Sequence, residues 1–112
     1  MKINNLSSDR VWDYENGYYW FSPYNRIAKQ IAHWEIYKQI QSVPGHVIEL
    51  GVYKGSSIVR WATFREMLEN AHSRKIVGFD AFGKFPVNDS FSPDDRNFIE
   101  RFEDIGGDGL SV

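Results

Sequence analysis

The chain has 112 residues, a hydrophobic content of 42% and a net charge of -2 from 13 basic and 15 acidic side chains. This length fits one small domain, and a near-neutral charge without a basic run argues against binding to the phosphate backbone of nucleic acid. The absence of cysteine excludes a disulfide framework, a thiolate zinc site and a cysteine nucleophile. No apolar stretch approaches the roughly 18 residues of a membrane span, and the N-terminus lacks the form of a signal peptide, so we expect a cytoplasmic protein with no membrane partner.

The first 23 residues are polar and aromatic, with the aromatic side chains clustered. These side chains surround Gly17 and comprise Trp12, Tyr14, Tyr18, Tyr19, Trp20 and Phe21. We interpret residues 1–23 as a separate segment, either a lid over a site or a contact in a homo-oligomer. Residues 24–41 then carry apolar side chains at helical spacing, which predicts an amphipathic helix that ends at a turn over 42–45.

The next stretch combines an apolar run, two glycines and two serines. Residues 47–50 are typical of a buried parallel strand. Gly51 and Gly55 permit a sharp turn and a close approach of the backbone to a ligand. Ser56 and Ser57 predict the capped start of a helix whose free N–H groups would point into a ligand site.

Acidic residues lie at the carboxyl ends of two predicted strands. Glu49 lies near the end of the first strand, where it can meet a cationic amine, and Asp80 closes a second apolar strand over 76–79. In nucleotide-binding βαβ units an acid in the second position receives the ribose hydroxyls. An apolar stripe over 58–68 predicts the helix that connects the two strands. These features predict an α/β domain with a nucleotide-like ligand, and Glu49 suits S-adenosylmethionine better than a pyrophosphate.

The last segment predicts one more helix. Ser92 offers a hydroxyl cap, Pro93 suits the first turn, and Asp94 and Asp95 face the helix dipole. We expect this helix to end at 106–107 and a third strand to begin after it. The dipole explains the paired acids, so no metal site is predicted. None of the three histidines has a metal-ligand spacing or a neighbouring nucleophile, and no catalytic residue is identified.

Two stretches of the chain resemble a known family. Glu49-Leu50-Gly51-Val52-Tyr53-Lys54-Gly55-Ser56-Ser57 is similar to the first motif of class I S-adenosylmethionine-dependent methyltransferases. With the preceding Pro44-Gly45-His46-Val47-Ile48 and the later Gly78-Phe79-Asp80-Ala81-Phe82-Gly83-Lys84-Phe85-Pro86, it resembles the macrocin O-methyltransferase group, which methylates sugar hydroxyls of small molecules. The resemblance implies a Rossmann-like class I methyltransferase fold, of which this chain holds only the N-terminal helices and the first two βα units.

The resemblance also implies roles in cofactor binding. Glu49 and Gly51 would line the methionine part of the cofactor, and Ser57 would bind its carboxylate. Asp80 would accept hydrogen bonds from both ribose hydroxyls. The complete set of implied cofactor-binding residues is Glu49, Gly51, Val52, Tyr53, Gly55, Ser56, Ser57, Asp80, Ala81 and Phe82.

The length of the chain limits what it holds. A βα unit takes about 30 residues, so after residue 45 there is room for about two. We therefore expect residues 24–112 to be the N-terminal part of a longer methyltransferase domain, inactive alone, with the acceptor pocket and any divalent-metal ligands outside this chain. Two alternatives stay open: a non-catalytic remnant that acts as an interaction module, and a nicotinamide-binding Rossmann domain. The latter fits less well because Tyr53 stands where the dinucleotide fingerprint has its second glycine.

Overall fold

The structure, a computed structural model, describes residues 1–111. These residues form four α-helices, a short 3-10 helix and two two-stranded sheets, one antiparallel and one parallel. The chain is therefore a small α/β protein. It divides into two compact units, Met1–Ile36 and the residues from Tyr37 onward. None of the described helices is both long enough and apolar enough to cross a membrane.

The first unit begins with a hairpin. Strand β1 (Lys2–Ile3) pairs antiparallel with β2 (Leu6–Ser7). The turn between them holds Asn4 and Asn5 at φ values of 46° and 64°. Asparagine tolerates this left-handed region, which tight two-residue hairpin turns require. This hairpin was not predicted from the sequence.

Two helices follow the hairpin. Helix α1 (Val11–Phe21) ends at Ser22, which is extended with φ -75° and ψ 133°, as the residue before a proline prefers. Helix α2 (Tyr24–Ile40) confirms the helix predicted over 24–41. Within the first unit, the Gln30 side chain donates a hydrogen bond of 2.8 Å to the Tyr18 hydroxyl. Helix α1 itself was predicted only as an aromatic segment.

The second unit contains the parallel sheet. Strands β3 (Val47–Leu50) and β4 (Ile76–Phe79) pair in parallel, and helix α3 (Ser56–Leu68) connects them. This confirms both predicted strands, their pairing and the connecting helix. The predicted cap is wrong, because Gly55 is the N-cap, at φ 83°, and no side chain accepts a hydrogen bond there. Ser56 and Ser57 already lie inside α3, so their hydroxyls do not cap it.

Helix α3 packs closely on the sheet at Gly78. A Cβ atom at this position would lie 2.5 Å from a methyl group of Val52 and 2.6 Å from one of Ile58. The other face of the sheet is open, since Ile48 is 62% exposed and Leu50 is 81% exposed. The prediction that both residues are buried is wrong, because in the described residues only one face of the sheet is covered.

A buried polar network fixes the start of β4. Tyr37 is fully buried and donates a hydrogen bond of 2.6 Å to Glu69, the residue that caps the end of α3. The Arg74 side chain, only 6% exposed, donates to both carboxylate oxygens of Glu69, at 2.8 Å and 3.0 Å. It also donates to the carbonyl of Ile40 at 3.1 Å. One arginine therefore joins the ends of α2 and α3 to the residues just before β4.

The last helix, α4 (Pro93–Gly106), begins as predicted. The Ser92 hydroxyl accepts a hydrogen bond from the Asp95 N–H at 3.1 Å, and the Asp95 carboxylate accepts one from the Ser92 N–H at 3.0 Å. This reciprocal pair is a capping box. The predicted third strand is wrong, because residues 107–111 form no strand and instead contact the loops that follow β3 and β4.

Candidate functional site

Two loops meet at the carboxyl edge of the parallel sheet. The glycine loop, residues 51–55, follows β3, and the acidic loop, residues 80–86, follows β4. They line an open cavity of about 480 Å³, a size typical of small-molecule pockets. The lining residues are Gly51, Tyr53, Asp80, Ala81, Gly83, Lys84, Phe85, Pro86 and Gly109. In α/β proteins ligands bind at this edge of the sheet.

The glycine loop turns sharply through the left-handed region of backbone space. The Gly51 N–H donates to the carbonyl of Phe79 at 2.8 Å, which extends the pairing of the strands by one bond. Gly51, Tyr53 and Gly55 then have φ values of 87°, 55° and 83°. Glycine adopts such values freely, whereas a tyrosine there costs on the order of 1–3 kcal/mol. Strain of this kind persists only where the surrounding contacts hold it, and Tyr53 is held by several.

Asp80 connects the two loops. Its Oδ2 atom accepts hydrogen bonds from the backbone N–H groups of Val52 and Tyr53, each at 2.6 Å. Its Oδ1 atom accepts one from Phe82 at 3.1 Å. Hydrogen bonds from the N–H groups of Tyr53 and Phe82 are the main causes that hold the pKa of Asp80 below its usual range. At neutral pH Asp80 is therefore a carboxylate that only accepts hydrogen bonds.

Residues 107 and 110 form hydrogen bonds with Tyr53. The Tyr53 hydroxyl donates to the carbonyl of Gly107 at 2.9 Å, and the Tyr53 carbonyl accepts from the Leu110 N–H at 2.8 Å. The ring also packs against Phe85 and Phe102, with centroids 6.4 Å and 5.3 Å away. These contacts explain how a non-glycine residue keeps a positive φ in this loop.

The same segment closes one side of the cavity. The Gly83 N–H donates to the carbonyl of Leu110 at 2.8 Å, and the Gly109 N–H donates to the carbonyl of Gly83 at 3.0 Å. A Cβ atom at position 109 would lie 3.0 Å from the Gly83 oxygen and 3.3 Å from the Tyr53 oxygen. Any side chain at position 109 would therefore crowd two backbone oxygens, and glycine avoids this.

Glu49 lies away from the lining of the cavity. Its Oε1 atom accepts a hydrogen bond of 3.2 Å from the indole N–H of Trp61, on α3. Its Oε2 atom is buried and has no hydrogen-bond partner among the described residues. A buried carboxylate oxygen without a donor is costly, and an ammonium group is one way to satisfy it.

The structure brings together four of the ten predicted cofactor-binding residues. Gly51, Tyr53, Asp80 and Ala81 line the cavity. The other six lie next to it in sequence without lining it, and they are Glu49, Val52, Gly55, Ser56, Ser57 and Phe82. Val52 and Phe82 act through their backbones, because both donate N–H groups to Asp80.

Five lining residues were not predicted to bind the cofactor, and they are Gly83, Lys84, Phe85, Pro86 and Gly109. The first four belong to the stretch that resembles the methyltransferase group, so the motif was a usable signal for them. Gly109 had no such signal, because its position depends on contacts with residues far away in sequence. The titratable groups of the lining are Tyr53, Asp80 and Lys84. Three N–H groups occupy acceptor positions of the Asp80 carboxylate, and the Tyr53 phenol is bonded to a carbonyl, so these two groups are better suited to binding than to proton transfer.

Metal-binding groups do not accompany the cavity. Residues 1–111 contain no cluster of three or more histidine, cysteine or acidic side chains that could hold a metal ion. His46, which precedes β3, accepts a hydrogen bond of 3.1 Å from the Lys75 N–H and so helps to join the two strands.

Comparison with known proteins does not assign the chain to a family. No family model, curated protein or solved structure matches the chain significantly. The functional assignment therefore depends on the geometry of the cavity and on the motifs at 44–57 and 78–86.

Proposed function

We propose that this chain binds S-adenosylmethionine in the cavity between the glycine loop and the acidic loop. It would then be the cofactor-binding part of an O-methyltransferase with a Rossmann-like fold that acts on a sugar hydroxyl. The observation that carries the proposal is Asp80, an ionised carboxylate that lines a cavity at the carboxyl edge of a parallel β3–α3–β4 unit.

The acceptor positions of Asp80 limit how a ribose can bind. A carboxylate offers about four lone-pair positions. The N–H groups of Val52 and Tyr53 use both positions on Oδ2, and the N–H of Phe82 uses one on Oδ1. One ribose hydroxyl can therefore donate to Oδ1 directly. A second hydroxyl requires the Phe82 N–H to move away, so binding should shift the acidic loop.

The methionine part of the cofactor would lie toward the start of α3. Glu49 does not line the cavity, so its buried carboxylate would have to turn from Trp61 toward the cavity to accept a hydrogen bond from the ammonium group. Ser57, in the first turn of α3, lies where helix N–H groups favour a carboxylate. When bound, the cofactor supplies a methyl group on a sulfonium. In methyl transfer this chain would hold that methyl group and orient it toward an acceptor oxygen.

Chemical-shift mapping with S-adenosylhomocysteine tests the proposal. We expect the amides of Gly51, Tyr53, Ala81 and Phe82 to shift at about 5 mM ligand, enough to detect a millimolar Kd. Asp80→Ala should weaken binding roughly 10- to 100-fold, the loss of one hydrogen bond to a charged acceptor. The matched control is Asp94→Ala, an exposed acid on α4, which should bind like the unchanged chain.

Two outcomes would contradict the assignment. Equal shifts in the Asp80→Ala and Asp94→Ala variants would exclude Asp80 as the ribose acceptor. Stronger shifts with NADH than with S-adenosylhomocysteine would favour a nicotinamide-binding domain, although the Tyr53 side chain crowds the loop that a pyrophosphate would occupy.

A second candidate function is a non-catalytic interaction module. The open sheet face favours it, since Ile48 and Leu50 expose more than half of their surface. No ligand-dependent shift in the cavity, together with partner-dependent shifts of these two residues, would support this candidate over the first.

A further inference from the structure

The acidic loop and α4 also line a second cavity. It measures about 490 Å³, a size typical of small-molecule pockets. Its lining residues are Phe85, Pro86, Phe91, Asp95, Phe98 and Ile99. Phe85 and Pro86 also line the first cavity, the one between the glycine loop and the acidic loop. Ligands in the two cavities would therefore be neighbours, and the function proposed above does not use the second one.

The described loop residues of the second cavity have no hydrogen-bond donor left for a ligand. The Phe85 N–H already donates to Oε1 of Glu103 at 3.0 Å. The Phe91 N–H already donates to the carbonyl of Asn88 at 3.2 Å. Pro86 lacks an N–H group, and none of these three lining side chains carries a donor.

The described helix residues of the second cavity offer no donor either. The Asp95 N–H donates to the Ser92 hydroxyl at 3.1 Å, and the N–H groups of Phe98 and Ile99 lie inside α4. Of the six described lining residues only Asp95 is charged, and its carboxylate repels anions. An anionic or hydroxyl-rich group would lose its water here and gain no donor in return. The lining therefore selects an apolar group.

Phenylalanine rings form much of the wall of the second cavity and lie in different planes. The Phe102 ring stacks on that of Phe98 at an interplanar angle of 27° and meets that of Phe85 edge-on at 82°. Phe98 is nevertheless 68% exposed, so much of its surface is free to contact a ligand. A bound aromatic ring can stack on one lining ring and meet another edge-on, which are the arrangements that aromatic pairs prefer.

Arg96 holds the loop that carries Phe91. Its guanidinium donates to the carbonyl of Asn88 at 3.2 Å, the same carbonyl that accepts from the Phe91 N–H. The Asn88 side chain in turn accepts a hydrogen bond of 2.9 Å from the Ser90 N–H. The loop side of the cavity is therefore ordered before a ligand arrives, which lowers the entropic cost of binding.

We propose that the second cavity binds an aromatic ring of the methyl acceptor. The acceptor would then be an aryl glycoside, with its ring in the second cavity and its sugar directed toward the first. This inference rests on the proposed function, which places the methyl group of the cofactor in the first cavity. The shared residues Phe85 and Pro86 support it, because they make the two cavities continuous neighbours.

Chemical-shift mapping of the intact chain with two glucosides tests the ring assignment. Phenyl β-glucoside and methyl β-glucoside carry the same sugar, and only the first has an aromatic ring. At about 5 mM, phenyl β-glucoside should shift the amides of Phe91, Phe98 and Ile99, and methyl β-glucoside should leave them unchanged.

A pair of phenylalanine variants tests which surface binds the ring. Phe98→Ala should weaken the binding of phenyl β-glucoside about 3- to 10-fold, through the loss of one aromatic pair. The matched control is Phe21→Ala on α1, an 83% exposed phenylalanine outside the cavity, which should bind like the unchanged chain. Because both side chains are exposed, both variants should keep their helical circular dichroism.

A titration with S-adenosylhomocysteine separates this inference from the proposed function. The cofactor product should shift the amides of Gly51 and Ala81 and leave Phe98 and Ile99 nearly unchanged, and phenyl β-glucoside should still bind in its presence. If S-adenosylhomocysteine shifts nothing while phenyl β-glucoside binds, the proposed function and the acceptor role are overturned and the ring assignment is supported. Displacement of the glucoside by S-adenosylhomocysteine would overturn the assignment to a separate cavity.

Three results would overturn the ring assignment. The first is equal shifts with the two glucosides, since the sugar and not the ring would then be bound. The second is equal binding by the Phe98→Ala and Phe21→Ala variants. The third is a larger shift of the Phe98 amide with tetramethylammonium ion than with phenyl β-glucoside at the same concentration, since the rings beside Asp95 would then form a cation site.

Discussion

Glu69→Gln should destabilise the protein strongly although it changes only one atom. Glu69 accepts hydrogen bonds from Tyr37 at 2.6 Å and from Arg74 at 2.8 Å and 3.0 Å. Glutamine has the same shape, but it leaves the Arg74 guanidinium without a counter-charge at a site that is only 6% exposed. Removal of one partner from a buried ion pair costs about 3–5 kcal/mol. That is a large part of the about 5–15 kcal/mol that stabilises a typical domain.

The matched control is Glu66→Gln, three residues earlier in the same helix. Glu66 pairs with Arg65 at 3.2 Å, but its side chain is 53% exposed. An exposed pair contributes about 0–1 kcal/mol. Urea unfolding at pH 7 with equal m-values measures both changes as shifts of the midpoint. Equal shifts for the two variants would refute the view that burial of Arg74 sets the cost.

The loss of stability in Glu69→Gln should also depend on pH. Hydrogen bonds from Arg74, and then from Tyr37, hold the pKa of Glu69 below its ordinary value of 4.5. The stabilisation from a lowered carboxyl pKa is complete above the unfolded value and is lost as pH falls through the folded one. The gap between the unchanged chain and Glu69→Gln should therefore be largest near neutral pH and shrink below pH 4.5. A gap that stays constant down to acid pH would contradict this assignment.

Three further changes test other parts of the fold. Gly78→Ala places a methyl group 2.5 Å from its nearest neighbour and should destabilise the protein by about 1–3 kcal/mol. Gly17→Ala has open space around it and should be neutral or stabilising, and thermal unfolding of both variants checks this. Ser92→Ala removes the cap of α4 and should cost about 0.5–2 kcal/mol in urea unfolding, so an unchanged midpoint would argue against the capping box. Burial and the hydrogen bond to Glu69 raise the pKa of Tyr37 from 10.0 to about 12, so stability should fall between these pH values, and Tyr37→Phe should flatten that fall.

Local signals explain the elements that the sequence predicted well. The strands 47–50 and 76–79 are apolar runs bounded by turn residues, and α4 starts at a serine three residues before its capping acid. Such patterns act within a few residues. They also indicated that Asp80 belongs to the site, because it follows a strand directly.

Distant contacts explain what the sequence did not predict. The Asp80 carboxylate accepts hydrogen bonds from N–H groups 27 and 28 residues earlier in the chain. A sequence motif therefore does not show that most of its acceptor positions are already occupied. The start of α3 depends on the left-handed Gly55 and not on the serine hydroxyls beside it. Leu110 bonds to Tyr53 and Gly83 where a new strand was expected. The prediction that Ile48 is buried was wrong for a related reason, since the apolar character of a strand does not determine which face of the sheet is covered.

The contacts of Tyr53 with Gly107 and Leu110 have a consequence for folding during translation. The Tyr53 hydroxyl bonds to Gly107, 54 residues further along the chain. A ribosome that adds about 5–20 residues per second needs roughly 3–11 s to synthesise that interval. Strand β3 is made before this interval, and α3 and β4 are made within its first half. Until Gly107 and Leu110 follow, the Tyr53 hydroxyl and carbonyl lack the partners that help to hold its left-handed conformation. On the nascent chain, the ligand cavity should therefore be the last part of the second unit to take shape.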